Sequence, residues 1–554
     1  MKRSFMALAL LSGCSRDVGT VLLTLVTSPN VEENPLPADQ DLTIEVRVEG
    51  PGTGVRRASA PYVPGETRID VPDVTVGEDR VFTVTVRLAS GAVLARGRSL
   101  PVSLDGDDAV QLYLSRVNRG SQAYSPIAGA TGLRAPRFRH VALPLPDGRV
   151  LVAGGARAII DGSSTKGGDP ADFAEIFDPT RGQIVTDQPD CVAGLDQSRC
   201  LFVPRIGPVS ALDSDGAPLL AGGEAVNGPS PEGERFSEGR FVPAGALSAP
   251  RSWAAGFGTP SGVVVAGGLQ IEGETLVPSG TAEVVSFGDR RTAGSLSVAR
   301  WAAAAAALAD GRGIVAGGFV DIVEPSRSCA DEDDPDAFCR LGFLSATPCD
   351  TESGLCRGDR AGNVTDALDL FDPAAGSFRP VEDGLVVARA QASVTALPDG
   401  RFVIAGGLVD VNPNPDGAQN LPTASIEVYD PELDLSCEVG NLGHPRWLHA
   451  AVALGRSPQD ARVAIFGGFA ASGLEALDTV EIVDLRNVEV TSGCEGSLTR
   501  ATEVPGLRLR RPRAGHTATM MANGAILVAG GTTGADPEIG TLEVSDLLEV
   551  FWVE

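Results

Sequence analysis

The sequence predicts an all-β chain in which a small immunoglobulin-like β-sandwich precedes a seven-bladed β-propeller, and three observations carry the prediction. An apolar strand, a turn and a second apolar strand ending in a glycine pair recur seven times. The pairs are Gly154-Gly155, Gly222-Gly223, Gly267-Gly268, Gly317-Gly318, Gly406-Gly407, Gly467-Gly468 and Gly530-Gly531. Successive pairs lie 68, 45, 50, 89, 61 and 63 residues apart, which is one unit of about 50 residues carrying insertions of different size. Glycine (67) and proline (39) fall between short apolar runs, and no long helical periodicity appears, as in a turn-rich β protein.

Aromatic residues make up 5% of the chain, so Val, Leu, Ala and Ile must build the core. Asp and Glu number 72 against 45 Lys and Arg, a formal net charge of −27. That balance argues against nucleic acid as a partner, because phosphate binding is driven by excess cationic side chains.

Residues 1–13 combine a basic start at Lys2 and Arg3, an apolar run over 5–11 and Leu11-Ser12-Gly13 directly before Cys14. The stretch resembles a bacterial lipoprotein signal peptide with its lipobox. The resemblance implies cleavage before Cys14 and lipidation of its thiol, and Ser15 in the next position points to the outer membrane, facing periplasm or surface. No later stretch approaches the roughly 20 apolar residues of a membrane-spanning helix, so the membrane partner is reached through the lipid.

Residues 14–118 alternate apolar and polar positions over 18–27, 42–48, 80–88, 92–98 and 110–114. Five to seven short strands in this length suit a sandwich of immunoglobulin-like or fibronectin-like type, a stalk for the propeller.

Residues 119–554 hold the repeat. Each unit runs from Pro-Arg or Ala-Arg through a small-residue strand, a turn, a strand ending in Gly-Gly, and a third strand with an acid near its centre. Turns such as Asp147-Gly148 and Asp399-Gly400 suggest primed hairpins. Glu175, Glu283, Asp369, Glu427, Glu481 and Glu549 are the central acids, and the second unit lacks a clean acidic third strand. This pattern resembles the kelch repeat, whose units form four-stranded propeller blades. The tryptophan that ends many kelch repeats is missing, with Phe241 and Phe378 standing at two fourth strands. The last unit stops after three strands, so residues 122–127 are expected to add its outer strand and close the ring.

Eight cysteines come after Cys14, an even number in a chain addressed to an oxidising compartment. Short separations suggest Cys191 with Cys200, Cys329 with Cys339 and Cys349 with Cys356, while Cys437 and Cys494 would staple the fifth blade to the sixth. An insertion at 321–362 carries four of these cysteines and an acidic run at 331–336, a loop for binding or, less in keeping with its spacing, for calcium.

Candidate ligand-binding residues are the arginines before each first strand: Arg137, Arg205, Arg251, Arg300, Arg389, Arg446 and Arg513. Seven guanidinium groups at a channel mouth would attract an anion; one arginine per unit, matched by one acid in most third strands, fits better a structural ion pair or backbone-carbonyl clamp repeated with the fold. Arg137, Arg446 and Arg513 are each followed three residues later by His140, His449 and His516. Galactose oxidase-like enzymes place copper on such a propeller between histidines and tyrosines, which would nominate His449, His516 and Tyr429 as metal ligands. No nucleophile elbow, phosphate loop or zinc-protease motif occurs. The default expectation is a lipid-anchored envelope protein without a cofactor, binding or scaffolding a protein or glycan through its propeller loops. The alternative is an enzyme, copper radical oxidase-like or carbohydrate-modifying.

Overall fold

The computed structural model describes residues 18–28, 30–123, 132–157, 170–185, 199–273, 275–322, 362–411, 419–470, 475–490, 494, 499–535 and 542–554. Cys14, Tyr124, Cys191, the four cysteines of the 321–362 insertion and its acidic run lie outside them. Apart from the 3-10 turn Val31–Glu33, every regular element among the described residues is a β-strand. None is a helix long and apolar enough to cross a membrane.

The second strand of each repeat sets the architecture. Val150–Ala153, Pro218–Ala221, Gly262–Ala266, Gly313–Ala316, Phe402–Ala405 and Ile526–Ala529 are buried at every position, and Arg462–Phe466 at all but its first. A strand covered on both faces is apolar throughout instead of alternating. Its successive residues serve different neighbours. Val150 and Val152 join Leu527 and Val550, whereas Leu151 and Ala153 join Leu220 and Phe236. Each consecutive pair of repeats shares such a core, seven in all.

Around each second strand the others pair antiparallel, as Val141–Pro144, Val150–Ala153, Ala174–Asp178 and Gln183–Ile184 do in the first. Seven such sheets succeed one another, forming a seven-bladed β-propeller. Blade 5 gains a fifth strand, Thr499–Arg500, running parallel to Leu435–Asn441. Near that strand the disulfide Cys437–Cys494, with Cα atoms 5.4 Å apart, joins blade 5 to blade 6. Cys200 is also disulfide-bonded. Phe241 and Phe378 both lie on fourth strands, Arg240–Pro243 and Ser377–Pro380.

Three expectations need correction. The Asp-Gly hairpins are not primed turns: Gly148 and Gly400 have positive φ, but Asp147 and Asp399 do not. Gly148 N–H donates to Leu145 O and Leu145 N–H to Arg149 O, a wider turn that places the glycine in the left-handed region. The second unit does have its acid, Glu234, on the strand Gly233–Ser237. Ring closure uses Ser121–Gln122 against Leu548–Phe551, slightly earlier than expected, and residues 124–127 lie outside the described residues.

The N-terminal strands form one continuous sheet: Arg56–Pro61, Leu42–Glu49, Gly77–Leu88, Val93–Arg98, Ala109–Arg116, Val18–Thr27 and Arg68–Thr75, with Val102–Leu104 paired beside Gly77–Leu88. One core that includes Leu23, Val46, Phe82, Val84 and Leu112 holds it together. It meets the propeller at the closing seam, where Asn118 N–H donates to Trp552 O and Glu33 pairs with Arg510.

The seven repeat arginines are structural. Each has no exposed surface and pairs with the acid of its own blade. Arg137–Glu175, Arg251–Glu283 and Arg300–Asp369 each measure 2.7 Å and Arg389–Glu427 2.5 Å; Arg205–Glu234, Arg446–Glu481 and Arg513–Glu549 complete the set. Six also donate to the carbonyl of the first glycine of their own pair. Arg300, whose acid is the shorter Asp369, donates to Val315 O instead. The acids further accept backbone N–H groups three residues before the arginine, from Arg134, Phe202, Ser248, Ser297, Val386, Gly443 and Arg510. Buried and paired in this way, the arginines are closed to an anionic ligand, which corrects the channel-mouth alternative.

Replacing Glu481 by Ala leaves Arg446 buried without its carboxylate and two N–H groups, Gly443 and His444, without an acceptor. Stability should fall by about 3–5 kcal/mol, read as a lower urea midpoint at unchanged slope.

Candidate functional site

The arginine carbonyls tie blades together. The second glycine of each pair donates its N–H to the arginine carbonyl of the next blade: Gly155 to Arg205, Gly223 to Arg251, Gly268 to Arg300, Gly318 to Arg389, Gly407 to Arg446, Gly468 to Arg513 and Gly531 to Arg137, at 2.7 to 2.9 Å. The first glycine must be glycine. A Cβ there would stand 2.0 to 2.9 Å from that same carbonyl oxygen.

Two residues beyond each arginine the backbone turns left-handed. Arg139, Gly207, Trp253, Ala302, Gln391, Leu448 and Gly515 have φ between +48° and +60°, a conformation costing a non-glycine residue on the order of 1–3 kcal/mol. Hydrogen bonds between neighbouring blades hold it. Arg139 N–H donates to Gly515 O, Gly207 to Arg139 O, Ala302 to Trp253 O, Gln391 to Ala302 O and Gly515 to Leu448 O, at 2.9 to 3.0 Å. These seven residues encircle the propeller axis where the innermost strands begin.

The side chains on this circle form the candidate site. Arg139 lays its guanidinium over the Trp253 indole, its carbon 3.3 Å from the ring centre, the stacked arrangement that suits a delocalised cation. Space for it depends on Gly207, where a Cβ would come within 2.5 Å of Arg139 Nη2. Among the described residues no carboxylate comes within ion-pair distance of Arg139. Burial lowers its pKa to about 10, with the charge of Glu224 opposing. The Gln391 carboxamide is buried, and among the described residues neither Oε1 nor Nε2 has a hydrogen-bond partner.

Three histidines stand beside the circle on adjacent blades 6, 7 and 1. His449 Nε2 is 2.8 Å from Ser393 Oγ, and His140 Nε2 is 2.9 Å from Thr517 Oγ1. Each thus bonds a hydroxyl at the start of the preceding blade's first strand. The same position facing His516 is Ala450, and both nitrogens of buried His516 are without a partner among the described residues. Burial is the main cause lowering all three, to about 3 for His140 and His449, with Arg137 and Arg446 adding to it; His516 is pushed well below the ordinary histidine value. All three rings are therefore neutral near pH 7.

Tyr429 stands elsewhere. It lies in the core between blades 4 and 5, where its hydroxyl donates to Asp434 Oδ1 at 2.7 Å. Burial and Asp434 raise its pKa. Among the described residues no three His, Cys, Asp or Glu side chains gather as a metal site. His449, His516 and Tyr429 are not brought together as a copper set.

Arg139, Trp253 and Gln391 were not legible as site residues. Read down the seven repeats their position is Arg, Gly, Trp, Ala, Gln, Leu, Gly, which shows no pattern until the shared backbone conformation is known. What the circle offers chemically is a stacked cation, an aromatic plane, a buried amide and a neutral imidazole. These are groups for holding a carboxylate and its neighbouring hydroxyls.

No protein-family model and no curated protein matches this chain. Solved structures do, 255 chains among them. One, titled "Structure of YjhT", is similar at 13% identity over 64% of this chain and 97% of that one, with a TM-score of 0.41.

Two outcomes are expected. Ala450→Ser supplies His516 Nε2 with the hydroxyl its neighbours have, and thermal unfolding should show a gain of about 1 kcal/mol. His140 is neutral when folded but protonates at its ordinary value when unfolded, so the unfolded state binds more protons below pH 6.5. Wild-type stability should therefore fall from pH 6.5 to 5, by about 1.5 kcal/mol for His140, and His140→Asn should lose correspondingly less in urea titrations over that window.

Proposed function

We propose that this chain is a kelch-type recognition propeller, held at the cell envelope by lipid on Cys14, that binds an acidic group of a glycan or protein at its channel mouth. One observation carries the reading: Arg139 is a mostly buried guanidinium stacked on Trp253, and among the described residues no carboxylate pairs with it directly, Glu224 acting only through its charge. Every repeat arginine has its acid in direct contact, whereas among the described residues Arg139 has no ion-pair partner. A buried cation without a counter-charge is costly unless a ligand provides one. Nearby amide and imidazole groups without partners add directional bonds that a bare anion site would not need.

Recognition is favoured over turnover by the composition of the circle. Its seven positions hold one cation, one indole, one amide, one leucine, one alanine and two glycines, with no nucleophile and no titrating acid. Loops between second and third strands rise around it, including the hairpins Leu269–Glu272 with Thr275–Pro278 and Leu408–Val411 with Gln419–Pro422. They would read the remainder of the partner. The kelch-like repeat and the lipobox support the class and the address respectively.

Calorimetry of the lipid-free protein against uronate-containing and neutral oligosaccharides tests the site. Binding is expected for the acidic panel, with Arg139→Ala weaker by roughly tenfold to a hundredfold; equal binding by that variant removes the proposed site. The anchor is tested by fractionation: Cys14→Ala should move the protein from membranes to the soluble fraction, and unchanged membrane association would remove the lipid.

A further inference from the structure

A second basic site lies away from the channel mouth, where the N-terminal sheet meets the seam of the propeller. The polar face of that sheet carries an unusual row. Arg57 pairs across strands with Arg47, Arg47 with Thr83, and Thr83 with Arg98. Like charges directly opposite each other on a sheet repel. Blade 6 adds Arg456 from across the gap, and blade 7 adds Asn523 and Trp552, enclosing a cleft of about 780 Å³.

The local acids do not neutralise the row. Glu49 takes Arg47 at 2.9 Å, Glu45 takes Arg87 at 2.9 Å, and Glu554 takes Arg96 at 2.5 Å. Among the described residues Arg57, Arg98 and Arg456 reach no carboxylate. Arg456 spends its donors on the carbonyls of Met521 and Ala522, at 3.3 and 3.4 Å. Burial lowers the pKa of Arg98, the charges of Arg456 and Arg47 lower it further, and Glu49 opposes them from beyond ion-pair distance. Three surplus cations converge here in a chain whose formal net charge is −27.

We propose that this cleft binds a bisphosphorylated saccharide. Guanidinium groups recognise phosphate oxygens in pairs, and three of them match a ligand carrying more than one phosphate. Trp552, only 6% exposed, forms part of the cleft wall beneath Arg96, which lies 6.0 Å from its ring centre. The hydroxyls of Thr83, Thr85 and Ser59 and the amide of Asn523 line the same cleft and suit sugar hydroxyls. Because its walls belong to both the N-terminal sheet and the propeller, bound ligand also braces the two against each other.

The lipid-free full-length protein is titrated calorimetrically with glucose 1,6-bisphosphate, with inorganic phosphate alone, and with phosphatidylcholine vesicles carrying a bisphosphorylated glycolipid. Arg98→Ala, Arg456→Ala and Arg139→Ala are run beside the wild type, each checked by thermal unfolding. Saturable binding of the soluble bisphosphate, weakened roughly tenfold by either cleft variant and untouched by Arg139→Ala, bears the site out. Binding confined to the vesicle arm, with the same dependence on Arg98 and Arg456, bears it out with a lipid headgroup as the source. Inorganic phosphate binding as tightly as the sugar bisphosphate overturns the saccharide assignment. No binding in any arm, or full affinity in both cleft variants, overturns the site. An effect of Arg139→Ala alone would return the ligand to the channel mouth.

Discussion

The propeller depends on one hydrogen bond repeated seven times, from the second glycine of each blade to the arginine carbonyl of the next. That carbonyl is in place only because its own guanidinium is anchored within its blade, to an acid and to strand carbonyls. The arginine therefore acts at both ends: its side chain fixes the blade internally, and its main chain fixes the neighbour. Seven buried ion pairs add little net stability after desolvation, but a buried pair has one good geometry and few alternatives. Their contribution is to angle and register between blades, while the apolar second strands supply the burial that stabilises the ring.

This division explains how one fold keeps a rigid frame and a variable site. The left-handed residue two positions past each arginine has its backbone dictated by the circle of inter-blade hydrogen bonds. Its side chain is not dictated except where neighbours crowd it, as Arg139 crowds position 207 into glycine. Strain of this kind persists only where surroundings over-determine it. Chemistry can thus change at seven positions around the axis without altering the ring that presents them.

The repeat was legible because its fixed parts are rare residues at regular places: a glycine pair, an arginine and an acid. Continuous apolar runs before each pair disclosed strands covered on both faces. The second unit's Glu234 was hidden because its strand, Gly-Glu-Arg-Phe-Ser, carries only one large apolar residue and so does not look like a buried β-strand. Strands Arg56–Pro61 and Arg68–Thr75 were hidden for a related reason, since their exposed faces are charged and their apolar residues small or few. The site was illegible for a different cause. Arg139, Trp253 and Gln391 are united by a backbone angle, and a backbone angle leaves no composition behind when any residue can be forced into it.

The way the ring closes has a consequence for the order in which this protein can be made. The outer strand of the last blade, Ser121–Gln122, precedes the first blade, whereas its partner Leu548–Phe551 comes after all the others. Beside it, Glu554 N–H donates to Asn118 Oδ1 across 436 positions. A ribosome delivers the two sides of this seam at opposite ends of the propeller's synthesis. Six blades can assemble on the emerging chain while the seam stays open, its edge groups exposed to other strands. Ring closure thus waits on the last blade, and any chain released short of Leu548–Phe551 carries an open edge for life.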